Sequence, residues 1–174
     1  MPVVVIVGPE KAGKTTLCEE LQRIAKLFGI HDVDYQHRTG KEPFTQADAH
    51  TIMHFERPDQ LMIFDRAWPC AVIYGERGFK QLHSALGAQA ESTVGRFIRR
   101  GRGETIVLLG PEPETLESKR TPDDLPIPPA VERAAYKAYG ELHGWRIVED
   151  YAHTPEQLQK LAMGILSRVL EVKN

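Results

Sequence analysis

Between a run of β-branched residues and a stretch of helical periodicity, Gly8-Pro9-Glu10-Lys11-Ala12-Gly13-Lys14-Thr15 matches the pattern G-x-x-x-x-G-K-[ST]. The run before it, Val3-Val4-Val5-Ile6-Val7, reads as a strand buried on both faces, the kind found centrally in a parallel sheet. After it, Lys14 to Phe28 places apolar residues at Leu17, Leu21, Ile24 and Leu27/Phe28, a helical spacing, with Gly29 positioned as a C-terminal cap. Glycines at such a strand-to-helix junction let the backbone curl until successive N–H groups face one point, and the helix start adds its positive dipole end. That is a cradle for a polyphosphate. Gly8, Glu10, Lys11, Ala12, Gly13, Lys14, Thr15 and Thr16 are therefore candidates for holding ATP. Within this phosphate-binding loop (P-loop), Lys14 is placed to reach the β- and γ-phosphates and Thr15 to offer its hydroxyl to Mg²⁺.

The rest of the chain repeats the strand and helix alternation. His31 to Gln36 reads as a second strand, followed by the polar turn-rich stretch His37 to Pro43, expected as a loop beside the ligand. Thr45 to Phe55 reads as a helix, and Leu61-Met62-Ile63-Phe64 as a buried strand ending at Asp65-Arg66. Trp68 to Tyr74 and Lys80 to Arg99 follow as helices, then a strand over Thr105 to Leu109. Residues 111–129 hold six prolines among charged residues, too many for one regular element, and read as a mobile lid. A helix over Val131 to Leu142, a strand over Trp145 to Val148 and a helix opened by Thr154-Pro155-Glu156 complete the pattern. The expectation is a doubly wound α/β fold, three layers with a central parallel sheet and helices on both faces, in a single domain over 1–174.

Asp65 stands at the carboxyl end of a buried strand, where open α/β sheets assemble their ligands, and is a candidate metal ligand or proton acceptor. Arg66 beside it offers a planar fork for a substrate phosphate. Arg38, in the loop expected to border the same crevice, is a further candidate for the acceptor phosphate. Net charge of −2 and a pI near 6.4 supply no global positive field, which disfavours a long nucleic acid and favours a small anionic ligand. Two cysteines, Cys18 and Cys70, fit neither a disulfide framework nor a zinc site, and no apolar stretch approaches the roughly 18 residues of a membrane span. The chain reads as soluble, cytoplasmic and without a membrane partner. His50 and His54 share a helix face without further ligands nearby, a surface pair rather than a zinc site.

The stretch Phe64-Asp65-Arg66-Ala67-Trp68-Pro69-Cys70-Ala71-Val72-Ile73-Tyr74, taken with Gly8 to Thr16, resembles the thymidylate kinase and deoxynucleoside kinase superfamily. Asp65, Arg66 and Tyr74 fit its Asp-Arg signature, whereas Ala67 stands where thymidylate kinases carry an aromatic and Cys70 where they carry serine. The resemblance covers residues 1 to about 150 and implies a P-loop NTPase fold with an ATP and Mg²⁺ site and a small nucleotide or nucleoside acceptor. It links Glu10 to the sugar side of that acceptor, places Tyr74 and Arg96 at the acceptor site, and makes Lys119 or Arg120 the cation of the lid, with Asp123 and Asp124 expected to bind back to it. Family members often form homodimers, although no interface is legible in these residues.

On this basis the leading expectation is a nucleoside monophosphate kinase in which Lys14, Asp65, Arg66 and Arg120 carry the transfer, with Thr15 and Asp65 at the metal. A deoxynucleoside kinase is the alternative, with Asp65 or Glu10 taking the proton of a hydroxyl acceptor. A polynucleotide kinase and an NTP-hydrolysing switch are further alternatives; the latter would want a guanine-selective Asn-Lys-x-Asp, which the sequence lacks. Arg99, Arg100 and Arg102 read as a solvated helix end, and Tyr136, Tyr139 and Trp145 as core.

Overall fold

The computed structural model describes residues 2–39, 44–54, 59–75, 89, 91–101, 103–124, 126–149 and 154–170. Five parallel strands form one sheet in the order β2-β3-β1-β4-β5: β1 Val3–Val7, β2 Asp32–His37, β3 Gln60–Asp65, β4 Gly103–Leu108 and β5 Arg146–Val148. Every residue of β1 and β3 is buried, as near-continuous apolar runs with helices on both faces require. Pleating divides β1: Val3, Val5 and Val7 join one core, Val4 and Ile6 the other.

Leu17, Leu21 and Ile24 of α1 (Lys14–Leu27) and Ala162, Ile165 and Leu166 of the last helix, α7 (Pro155–Leu170), cover the second face. The first face lies under α2 (Gln46–His54), α3 (Trp68–Gly75), α4 (Arg96–Arg100) and α6 (Pro129–His143), through Ile52, Trp68, Ile98 and Tyr136. Tyr136, Tyr139 and Trp145 pack in this core, as their spacing predicts. Among the described residues no helix is long and apolar enough to cross a membrane.

Several boundaries differ from expectation. His37, expected in a loop, ends β2, because the ladder with β3 continues until His37 stands opposite Asp65. The proline-rich segment 111–129 contains a helix, α5 (Pro113–Ser118), and α6 begins at Pro129; proline at the first helical turn lacks only an N–H that would be unpaired there anyway. Of the helix expected from Lys80 to Arg99, the described part is a π-helical turn over Glu91–Gly95 that runs into α4. Its start, with Arg102, Phe55 and residues 40–43, lies outside the described residues.

Candidate active site

The P-loop turns out of β1 at Gly8, where φ is +150° and an added Cβ would stand 2.0 Å from the Leu108 carbonyl oxygen. Gly110, with φ +71°, lets β4's exit pass so close that a Cβ there would meet the Ala12 Cα at 2.7 Å. Lys11 holds a left-handed backbone with φ 61°, an uncommon conformation for a residue with a side chain and one that concentrates at ligand sites. The first turn of α1 has no side-chain cap and no acidic residue, so its free N–H groups are left for an anion. Thr16 is exposed at that turn. Lys14 is buried and donates from Nζ to the Pro9 carbonyl at 2.5 Å. Burial, helped by the Arg66 charge and resisted by Asp65, lowers its pKa to about 8.

Asp65 closes the floor. Fully buried, it accepts through Oδ2 from the Thr15 hydroxyl at 2.6 Å and the Tyr35 hydroxyl at 3.3 Å, and it pairs with His37 Nδ1 at 2.8 Å. Its Oδ1 has no hydrogen-bond partner. Burial first, then the Asp65 charge, pushes the Tyr35 hydroxyl pKa up, which keeps it a donor. Tyr35 and His37 were not singled out in the sequence. Their signal was the two-residue spacing on an edge strand whose carboxyl end lies beside Asp65.

A second constellation forms where the P-loop, β3, the 111–129 segment and α6 meet. Arg66, with φ 71°, places Nη2 3.9 Å from Glu10 Oε1. Arg120 Nη2 lies 3.9 Å from Glu10 Oε2 and 3.7 Å from Glu132 Oε2, buried yet without a hydrogen bond. Glu132, only 1% exposed, accepts from the Tyr74 hydroxyl at 2.5 Å and the Glu10 backbone N–H at 3.1 Å. Burial pushes the Glu132 carboxyl pKa up, against the pull of the Tyr74 bond and Lys14. Tyr136 donates to Cys70 Sγ at 3.1 Å alongside. Two guanidiniums thus converge on one crevice beside Lys14, each held loosely by carboxylates rather than saturated by them.

Glu10, Lys14, Thr15, Asp65, Arg66, Tyr74 and Arg120 are therefore brought together. Others are not. Arg38 sits beside Asp65 by its backbone, donating its N–H to the Asp65 carbonyl at 2.9 Å, but its guanidinium is tied to Asp48 at 2.5 Å and Gln36 at 3.0 Å. Arg96 is exposed at the start of α4, and among the described residues no hydrogen bond or ion pair joins it to this group. Lys119 and Asp123 are exposed. Asp124, expected to bind back to the lid cation, instead pairs with Lys11 at 3.2 Å and accepts from the Thr121 N–H at 2.6 Å, which ties the segment to the P-loop itself. Glu132 went unnoticed in the sequence, one acid among the 24 Asp and Glu of the chain.

No protein-family model and no curated protein sequence matches the chain. Solved structures do. The YorR protein of Bacillus subtilis, in complex with phosphorylated GDP, superposes with a TM-score of 0.61 at 12% identity, covering 94% of this chain and 93% of that one. Thymidylate kinase from Ehrlichia chaffeensis superposes with a TM-score of 0.55 at 11% identity, covering 95% and 97%. Together with the strand order and the loop after β1, these matches give the chain the three-layer α/β fold of P-loop kinases.

Proposed function

We propose that the chain is a nucleotide kinase that transfers the γ-phosphoryl group of ATP to a nucleoside monophosphate. The observation that carries this reading is Arg120, whose Nη2 is buried without a hydrogen bond, set together with Arg66 around Glu10 next to Lys14. A neutral nucleoside hydroxyl would leave both cations with only distant carboxylates, whereas a monophosphate supplies the oxyanions that their forks fit. Asp65 is bonded on one oxygen to Thr15, His37 and Tyr35, which suits a positioning role better than that of a free base.

Segment 111–129 acts in this reading as the lid. It brings Arg120 onto the crevice and latches to the P-loop through Asp124 and Lys11. Lys14 holds the donor phosphates, and closing over them excludes water that would otherwise compete with the acceptor. The unpartnered Oδ1 of Asp65 and the adjacent Thr15 hydroxyl form a hard, all-oxygen donor set that fits Mg²⁺. Bound there with phosphate oxygens, the metal would neutralise charge as it shifts during transfer. Glu10 faces both arginines, where it can orient a sugar hydroxyl of the acceptor. Because the acceptor phosphate is already a nucleophile, alignment and charge stabilisation supply nearly all of the catalysis.

The test is ADP formation from Mg·ATP across a panel of nucleosides and nucleoside monophosphates. The reading expects turnover with at least one monophosphate and none with nucleosides; turnover with nucleosides alone makes Asp65 or Glu10 a general base and the proposal false.

A further inference from the structure

Ile6, Asp65 and His37 stand side by side on three adjacent strands, in register on the sheet face that α1 covers. The Arg38 N–H donates to the Asp65 carbonyl at 2.9 Å, which pins the end of β2 to the end of β3 and fixes the register at its last rung. Tyr35, two residues back, shares that face and packs against the core under α1. Because β3 lies between β2 and β1, both side chains reach Asp65 from the side opposite the P-loop.

Three donors meet on one oxygen. Asp65 Oδ2 accepts from the Thr15 hydroxyl at 2.6 Å on the P-loop side, and from His37 Nδ1 at 2.8 Å and the Tyr35 hydroxyl at 3.3 Å on the β2 side. The His37 contact has the length of a charge-assisted bond, whereas the Tyr35 contact is long for one between oxygens. An ionised carboxylate only accepts, so Nδ1 carries a proton whatever the state of the rest of the ring. Asp65 is fully buried, while Thr15 is exposed and the His37 side chain is 44% exposed. The carboxylate is thus an inner link, and the group open to a ligand is Thr15. With its hydrogen drawn onto Asp65, the Thr15 oxygen keeps its lone pairs for a cation.

We propose that His37 is a positioning residue for the divalent cation that accompanies the nucleotide, acting through Asp65 on Thr15. A carboxylate turns about its Cβ–Cγ bond with only a broad preference, and a single bond from Thr15 can follow that rotation. The His37 N–H on the opposite side holds Oδ2 in place, so the Thr15 hydrogen has one fixed acceptor and its oxygen one direction to offer a hard cation. Outer groups that orient metal ligands in this way cost about 10–100-fold in metal affinity or activity when they are lost. A packing role accounts for His37 less well, because its ring is nearly half exposed and belongs to neither hydrophobic core. The inference rests on the Mg·ATP part of the function proposed above and is independent of the acceptor.

The test compares, by isothermal titration calorimetry, the affinity of the full chain for a non-hydrolysable ATP analogue in Mg²⁺ and in EDTA. The ratio of the two affinities isolates what the metal adds. His37→Phe keeps a ring and removes the donor; His37→Asn returns an N–H close to the place of Nδ1. The expected result is a ratio lowered about tenfold in His37→Phe, with the affinity in EDTA unchanged, and most of the loss recovered in His37→Asn. An unchanged ratio in His37→Phe would overturn the proposal. So would a parallel fall of both affinities, which marks damage to the P-loop, or an equal loss in His37→Asn, which marks a role for ring shape alone. Failure of the underlying reading looks different: a wild-type protein that does not bind the analogue, or binds it equally in EDTA, contradicts the nucleotide site or its metal and takes this proposal with it.

Discussion

Replacing Lys14 by methionine should abolish phosphoryl transfer and make the protein more stable. The lysine is buried, and the burial together with Arg66 lowers its pKa from the ordinary 10.5 to about 8. That depression corresponds to about 3 kcal/mol spent on keeping the ammonium charged inside the fold. Methionine fills a similar volume without the charge and forfeits the bond from Nζ to the Pro9 carbonyl, worth about 1–1.5 kcal/mol. The balance is a gain of about 1–2 kcal/mol, which for a chain of this size raises the melting temperature by about 3–6 °C. The pH dependence has a definite sign. Between about 8 and 10.5 the unfolded chain still holds the lysine proton that the folded chain has released. Wild-type stability therefore rises through that window, and below it the full penalty remains. The Lys14→Met protein lacks this rise, so its advantage is largest at pH 7 and shrinks as pH climbs through the window. Thermal and urea unfolding of both proteins at pH 7 and pH 10 measure it. A Lys14→Met protein less stable than wild type at pH 7, or a gap that does not narrow with pH, would refute the electrostatic account of the loop.

Other perturbations read the rest of the crevice. Arg66→Ala should raise the KM for the acceptor at least tenfold while leaving that for ATP within a few-fold, seen in steady-state kinetics with each substrate varied. Glu132→Gln keeps an acceptor oxygen for Tyr74 and the Glu10 N–H but removes the negative charge beside Arg120, and should lower kcat about tenfold by releasing that arginine. In a double-mutant cycle with Arg120→Ala the two losses should fall well short of additive; full additivity would mean that Glu132 does not act through the lid arginine. Gly110→Ala should destabilise the fold by about 2–3 kcal/mol, because its φ of +71° disfavours a side chain and the new Cβ would press on Ala12. Denaturant titration reads this directly, with an unchanged midpoint as the contrary result.

What the sequence made legible was local. The P-loop, the β-branched run before it and the apolar run ending at Asp65 each carry their signal within a few residues, and the sheet assembled around them as their periodicities require. Tertiary juxtapositions were harder. Glu132 meets the Glu10 amide across 122 residues; its place four residues before Tyr136, on the stripe buried through Pro129, Tyr136 and Gly140, marks it as an inward acid, but nothing local names its partners. His37 and Tyr35 reach Asp65 through the register of β2 on β3, which a half-buried edge strand encodes weakly. Arg38 lay in the expected place, yet Asp48, from the start of α2, captured its guanidinium. The resemblance to nucleotide kinases implied Tyr74 at the acceptor and Lys119 or Arg120 on the lid; the packing of α6 joins Tyr74 and Arg120 through one buried carboxylate.

The most direct test of the central claim follows the phosphoryl group itself. ATP carrying ¹⁸O in its γ-phosphate is incubated with the protein, Mg²⁺ and an equimolar mixture of nucleosides and nucleoside monophosphates, and the products are resolved by mass spectrometry. The account predicts label in the β-phosphate of a nucleoside diphosphate derived from the acceptor. Label confined to inorganic phosphate, or appearing in a monophosphate made from a nucleoside, would contradict it.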